Sequence, residues 1–459
     1  MVSLNRWPKV AALREKLNGK AKAEPACRFH ALYDKVYRPD FLAAAYAQVR
    51  ANAGAPGVDG QTFADIAAYG EQRYLDELAA ELKAERYAPQ PVRRVLIPKA
   101  NQPGKFRPLG IPTIKDRTVQ QAVKLVLEPV FEADFTDNAY GYRAGRSAND
   151  AVRAVDQEII KRPDVVDADL SKYFDTIPHD QLMQSVQRRI SDRRMLKLIQ
   201  GWLKVPVHER NANGKVVISG GRKTKSGTPQ GGVISPLLAN IYFRRFLVAW
   251  QQRGLERKLD AKIVNYADDF VILTRKHAAE ALQAAASILT RIGLTLNETK
   301  TRTVNVWKDN FSFLGYTFGQ LYGRKGRPYL GAVPAQKNIA RYMEQVHALT
   351  DRQHTSQTVE QTIGQVNQLT RGFWNYYAQG TCSQISRALD EYVFGRVVHW
   401  AKRKHARSRR NTKTAATRVQ RFDKIKAATR QLIRGRDLVR NRNGGPLFNA
   451  VHNFAAVRA

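Results

Sequence analysis

One stretch constrains the fold more than any other: Lys262-Ile263-Val264-Asn265-Tyr266-Ala267-Asp268-Asp269-Phe270-Val271-Ile272-Leu273. Two apolar, β-branched runs flank an adjacent pair of aspartates, with small Ala267 just before them. Runs of this kind predict two short buried strands, and the polar break between them predicts a hairpin turn. Two carboxylates at the tip of a stiff hairpin repel each other, which is costly unless a cation stands between them. Taken alone, an Asp-Asp turn is more often a solvated surface feature. The rest of the chain reverses those odds.

A third carboxylate stands on a second apolar run, Val165-Val166-Asp167-Ala168-Asp169-Leu170, which predicts another strand. Two strand elements bringing Asp169, Asp268 and Asp269 to one point would bind a pair of divalent cations about 3.5–4 Å apart, the geometry of nucleotidyl transfer. Hard oxygen ligands suit Mg²⁺, with Mn²⁺ an alternative at the same ligands. Asp167 shares a strand face with Asp169 and is read as lying outside the ligand set.

Charge names the partner class. Lys and Arg number 76 against 40 Asp and Glu, a formal net charge of +36, and such an excess points to nucleic acid or an anionic membrane surface. No run of about 18 apolar residues is present to span a bilayer. The first 22 residues mix basic and apolar side chains without the continuous apolar core of a signal peptide. Two cysteines, Cys27 and Cys382, exclude a disulfide framework and a Cys-rich zinc site. The expectation is a cytoplasmic protein, off the membrane, that binds RNA or DNA.

Along the chain, residues 1–50 predict a basic helical extension, and Gly54-Ala55-Pro56-Gly57-Val58-Asp59-Gly60 breaks regular structure. Helical spacing returns over 71–86. Residues 92–97 and 106–112 predict extended segments around a turn at 99–104, followed by a long helix over 115–131. Ser147 with Asp150 forms a capping-box pattern opening another helix. A glycine-rich bend at 226–232 precedes a helix through Leu237, Ile241 and Phe246. A helix over 278–292 and a strand pair near Thr295 and 311–318 come next. From about 336 the texture is helical, and from Lys402 to Arg442 sixteen Lys or Arg face two Asp, which favours nucleic-acid contact over a plain solvated tail. No internal repeat is found.

These motifs, in this order, resemble a known family. Tyr266-Ala267-Asp268-Asp269 between apolar strands resembles the metal-binding hairpin of reverse transcriptases. Asp169 through Phe174 and Asp175 resembles their first palm motif, and Gly227 through Gln230, Gly231 and Asn240 their nucleotide-side motif. Ile97-Pro98-Lys99 and Arg107 through Pro112 resemble the fingers. Gly57-Val58-Asp59-Gly60, Gly141-Tyr142-Arg143-Ala144-Gly145-Arg146 and Phe313-Leu314-Gly315-Tyr316 are similar to the group II intron-encoded branch, as is the basic helical continuation after 330.

The resemblance implies an α+β right-hand polymerase, with an antiparallel palm sheet and then an α-helical thumb and maturase region. It divides the chain into an extension (1–50), fingers and palm (51–330), thumb and maturase region (331–405) and basic tail (406–459). It implies RNA-directed DNA synthesis from dNTPs on an RNA template with a DNA primer, and binding of a structured RNA, the group II intron RNA, to assist splicing and mobility. Asp169, Asp268 and Asp269 would hold two Mg²⁺ ions. Lys99 and Arg107 would clamp the triphosphate, where a bidentate guanidinium suits phosphate oxygens. Phe174 would sit under the sugar and reject a 2′-hydroxyl by bulk. Gln230 and Gly231 would let amide and backbone approach the nucleotide and template. Lys300 would protonate the leaving pyrophosphate, although a plain surface lysine is an equal reading of that position. Arg143 and Arg146, beside Tyr140 and Tyr142, would contact template, and Lys402, Arg403 and Lys404 would contact RNA. Trp374, Tyr376 and Tyr377 are read as core packing.

Relatives often carry a C-terminal nuclease with paired Cys-x-x-Cys or His-Asn-His residues. No such cluster follows Cys382, so the expectation is a form that does not cut DNA. Two rival readings remain at the level of sequence: a non-enzymatic splicing factor on the same fold, and a reverse transcriptase serving phage defence or DNA repair.

Overall fold

The computed structural model describes residues 4–98, 104, 106–211, 213–323, 325–406 and 431–439. Among them run eleven strands: β1 (Val92–Pro98), β2 (Phe106–Ile111), β3 (Asp164–Asp169), β4 (Pro206–Arg210), β5 (Val216–Gly220), β6 (Lys262–Tyr266), β7 (Asp269–Thr274), β8 (Arg302–Asn305), β9 (Phe311–Phe313), β10 (Tyr316–Tyr322) and β11 (Pro328–Pro334).

The hairpin read from residues 262–273 is β6 and β7, with Ala267 and Asp268 between them. Its sheet has the order β6-β7-β3-β8, antiparallel throughout. Alternation along a strand assigns its side chains to opposite faces, and here each face meets a different core. Val166, Ile263, Phe270 and Ile272 face one cluster, which contains the helices Ile114–Glu132 and Ser235–Gln252. Val165, Val264, Val271 and Leu273 face a second cluster, shared with β9, β10 and the C-terminal helices. The sheet is therefore a partition between two apolar bodies, which is why both hairpin runs are almost wholly apolar. The helix Ile114–Glu132 is buried around most of its circumference, as befits an element central to its cluster.

A second sheet, β2-β1-β4-β5, stands beside the first, with β1 and β4 parallel. The expectation for 92–112 covers only half of it. The β4–β5 hairpin was not foreseen: β5 is exposed along its whole length, so its short apolar run is not a core pattern. The third sheet, β11-β10-β9, leads into the helices Gln336–Leu349, Val359–Tyr377 and Ser383–Ala406. Strand β11 runs across residue 330, so the change to helical structure comes after Pro334. Around Thr295 there is no strand but a single bridge between Leu170 and Leu296. The capping box at Ser147 and Asp150 is formed.

The N-terminal helices are integral to the first cluster. Arg189, 1% exposed, donates through Nη1 and Nη2 to the carbonyls of Ala21, Glu24, Pro25 and Cys27. Phe29 N donates to Arg189 O at 2.7 Å and Ser191 N to Phe29 O at 2.9 Å. Asp192 accepts from the backbone amides of Leu32 and Tyr33 at 2.9 and 2.8 Å. Trp374 and Tyr377 are buried and Tyr376 packs partly buried against them, as read. No described helix is long and apolar enough to cross a membrane.

Candidate active site

The pairing of β3 with β7 sets Asp169 directly opposite Asp269. Both lie on the sheet face that carries Val165 and Val271, so the strands themselves bring the two carboxylates together, with Asp268 at the adjoining turn. The turn is held in a costly shape. Ala267 has φ of +60°, a left-handed conformation that costs a non-glycine residue about 1–2 kcal/mol. Surrounding contacts impose it. Buried Asn265 donates from Nδ2 to Ala267 O at 2.8 Å, and the main chain of Asn265 bonds Asn138 and Tyr140 at 2.8 and 2.9 Å. Gly141 lies against the turn, and its own carbonyl accepts from Asn240 Nδ2 at 2.7 Å.

The electrostatics are those of crowded negative charge. The surrounding protein, then Asp268, Asp169 and Asp167, push the Asp269 carboxyl up to about 6 against the pull of Lys300. Asp269 is itself open to solvent, so the surrounding protein mass raises it without sealing it off from water. Desolvation and then Asp169 raise Asp268, opposed by its backbone amide, Arg107 and Lys300. Burial pushes Asp167 up to about 6, helped by Asp169 and opposed by Arg302, whose Nε stands 3.7 Å away. Asp169 is committed within the protein: its Oδ2 accepts from Lys300 Nζ at 2.7 Å and from Asn297 Nδ2 at 3.1 Å. Among the described residues no three His, Cys, Asp or Glu side chains are grouped so as to hold a metal ion. The donor set is nevertheless of the right chemistry: hard carboxylate oxygens carrying negative charge that, among the described residues, Lys300 and Arg107 partly offset.

The other read residues divide. Arg107, exposed on β2, is close enough to lower the Asp268 carboxyl. Phe174 is half-buried, its ring edge-on to Tyr173 at 5.6 Å, and its carbonyl accepts from Thr228 N at 2.7 Å. Gln230 O accepts from Gly110 N at 2.6 Å. At Gly231 a Cβ would stand 2.1 Å from Gly110 O, so only glycine lets the loop lie this close to β2. Lys99 lies outside the described residues.

Arg143 is a correction. It is 9% exposed, its Nε and Nη2 donate to Glu132 and its Nη1 donates to Thr136 O and Ala139 O, so it braces the loop and is not free to meet a template. Arg146 is half-committed, to Asp137 at 2.6 Å and over the Tyr140 ring at 5.2 Å. Lys402 and Arg403 are exposed. Lys404 Nζ donates to the carbonyls of Thr355 and Gln357 at 3.0 and 2.5 Å, so it also closes a loop. Of the basic tail, residues 407–430 and 440–459 lie outside the described residues.

Asn297 went unread, Asp175 was quoted in the palm motif without a role, and Tyr142 was read only as a neighbour of the template arginines. Tyr142, 47% exposed with its ring 6.5 Å from that of Tyr266, has its hydroxyl raised by desolvation and then by Asp268. It, and not Arg143, is the member of its loop that faces the aspartates. Asn297 holds Asp169 by main chain and side chain, its N donating to Asp169 O at 2.8 Å. Asp175 bonds Gln230. Asn297 lies in an irregular segment and Asp175 in the single-turn helix Tyr173–Thr176, and neither sequence pattern shows which side chain it holds.

Comparison with known proteins accords with this arrangement. Residues 97–318 match the reverse transcriptase (RNA-dependent DNA polymerase) family, and residues 339–418 match the group II intron maturase-specific domain. Protein YkfC of Escherichia coli (strain K12) is 33% identical over 367 residues, 72% of this chain and 93% of YkfC. The group II intron-encoded protein LtrA of Lactococcus lactis subsp. cremoris is 38% identical over 216 residues, 47% of this chain but 34% of LtrA. An uncharacterized 91 kDa protein in the cob intron of Schizosaccharomyces pombe is 26% identical over 375 residues, 66% of this chain and 45% of that protein. The chain belongs to the group II intron-encoded reverse transcriptase and maturase family: a right-hand α+β RNA-directed DNA polymerase joined to a maturase-specific domain.

Proposed function

We propose that Asp169, Asp268 and Asp269 hold the divalent ions, two Mg²⁺, with which the protein copies RNA into DNA from dNTPs. The observation that carries this reading is the pairing of Asp169 with Asp269 across β3 and β7, beside a turn that adds Asp268. When bound, the ions activate the primer 3′-hydroxyl and offset the charge of the triphosphate. The chain's own residues do the rest. Arg107 grips triphosphate oxygens from β2, and Lys99 is the second cation of that clamp. Phe174 lies beneath the sugar and excludes a 2′-hydroxyl. The backbone at Gly231 and the Gln230 amide border the nucleotide. Lys300 delivers a proton to the departing pyrophosphate.

The RNA partner is a structured intron RNA. Lys402 and Arg403, exposed on the helix Ser383–Ala406, and Arg146 with Tyr142 supply cationic and aromatic contact to RNA. Residues 51–330, extended to the end of β11, serve as fingers and palm, and the following helices as thumb and maturase region.

The test is extension of a DNA primer on an RNA template with Mg²⁺ and dNTPs, wild type beside Asp268→Ala/Asp269→Ala. Template-length DNA from the wild type alone is the expected result. If neither makes product while both bind structured intron RNA tightly, the chain is a splicing factor and the polymerase reading fails.

A further inference from the structure

Gln230 is held from two sides. Its main-chain carbonyl accepts from Gly110 N at 2.6 Å, and Gly231 lies so close to Gly110 that a Cβ there would stand 2.1 Å from the Gly110 oxygen. Its side-chain Nε2 lies 3.2 Å from both carboxylate oxygens of Asp175. Asp175 is anchored in turn, its own N donating to Lys172 O at 2.8 Å. Lys172 is in the left-handed conformation, φ +47°. The same few residues fix Phe174, through Thr228 N. Both Asp175 and Gln230 line a cavity of about 280 Å³ between β1, β2, β4 and the 226–230 loop.

An ionised carboxylate only accepts hydrogen bonds, whereas a carboxamide has a donating and an accepting end of nearly the same shape. Asp175 therefore selects one of the two flips of Gln230: Nε2 turned toward the carboxylate, Oε1 turned away. Among the described residues no hydrogen bond is made to that Oε1. Without the carboxylate the two flips compete, and the acceptor is presented only part of the time.

We propose that Asp175 is a positioning residue for nucleotide selection: it orients the Gln230 carboxamide so that Oε1 accepts a hydrogen bond from the incoming deoxynucleoside triphosphate. This rests on the polymerase reading above. Asp175 touches neither substrate nor metal; it acts through Gln230. Asp175→Asn is the informative change, because asparagine pairs with either flip while keeping size and polarity.

The experiment is steady-state single-nucleotide addition on an RNA–DNA primer-template, comparing wild type, Asp175→Asn, Gln230→Ala and the double variant. Asp175→Asn is expected to raise KM for the dNTP about tenfold, the scale of one lost charge-assisted hydrogen bond, with kcat within about twofold. In the Gln230→Ala background the same change is expected to do nothing, since no amide remains to orient. Asp175→Glu, which restores an acceptor-only partner, is expected to recover part of the KM. An unchanged KM in Asp175→Asn, or an equal loss with and without Gln230, overturns the proposal. Inactive wild type overturns the polymerase reading instead, so the two failures are distinct. Equal melting temperatures across the set separate a positioning effect from unfolding.

Discussion

The α-carbon of Gly141 lies so near the strained hairpin turn that a Cβ there would stand 2.5 Å from the backbone nitrogen of Ala267. Real Cβ atoms do not approach backbone that closely, so any side chain at 141 must push the Asp268–Asp269 turn away. Gly141→Ala is expected to cost about 1–3 kcal/mol of stability. Displacing reacting groups by even about 1 Å is expected to lower primer extension about 100-fold. Extension rate measured beside the thermal midpoint checks both, and an Ala variant with full activity would show that this contact does not set the turn.

Phe174 is only half-buried, so its bulk is available to a ligand. Phe174→Ala is expected to raise incorporation of ribonucleotides relative to deoxynucleotides about 10- to 200-fold, the range over which a pocket discriminates by one small group. Competition between dCTP and CTP on one template reads the ratio directly.

Lys300 sits 2.7 Å from Asp169 and either delivers a proton or only neutralises a carboxylate. Lys300→Ala is expected to slow nucleotide addition about 100-fold or more, the usual scale for a general acid. Lys300→Arg separates the roles, because a guanidinium keeps the ion pair but does not give up a proton. Single-turnover addition is expected to stay as slow in the Arg variant as in the Ala variant. Recovery in Lys300→Arg would leave Lys300 as a counter-ion alone.

Asp192 supplies a pH dependence of stability. Burial alone would raise its carboxyl, but four backbone amides, those of Leu32, Tyr33, Met195 and Arg194, together hold it below the ordinary 3.8. A lowered folded value means the contribution is present above about pH 4 and lost as pH falls through the folded value. Asp192→Asn is expected to cost about 2–3 kcal/mol at pH 7. Urea unfolding from pH 7 down to 3 should show the gap between the two proteins constant at first and closing below 3.8.

The parts of the site legible in sequence are those written in strand periodicity. Asp268 and Asp269 interrupt two runs too apolar to be anything but buried strands, and Asp169 ends another, so fold and carboxylates come from one pattern. What sequence could not convey is commitment between distant side chains. Arg143 beside two tyrosines has the composition of a nucleic-acid contact, yet Glu132 and two carbonyls consume it. Lys404 belongs to a basic run but is bonded to carbonyls nearly 50 residues upstream. Asn297 and Asp175 carry no periodicity at all, because their value lies in what they hold. The β4–β5 hairpin was missed for the opposite reason, its apolar residues facing water.

The clasp formed by Arg189 on the carbonyls of residues 21–27 joins segments 165 positions apart. A ribosome reaches Arg189 long after it has released Glu24. At about 5–20 residues per second the delay is roughly ten to thirty seconds. Helix Pro8–Ala23 can dock sooner, since Arg14 reaches Leu125 O and Glu128 and Tyr33 reaches Leu82 O, but the carbonyls of residues 21–27 lack the Arg189 guanidinium until then. Birth order therefore makes this clasp a late closure on an N-terminal segment synthesised long before it.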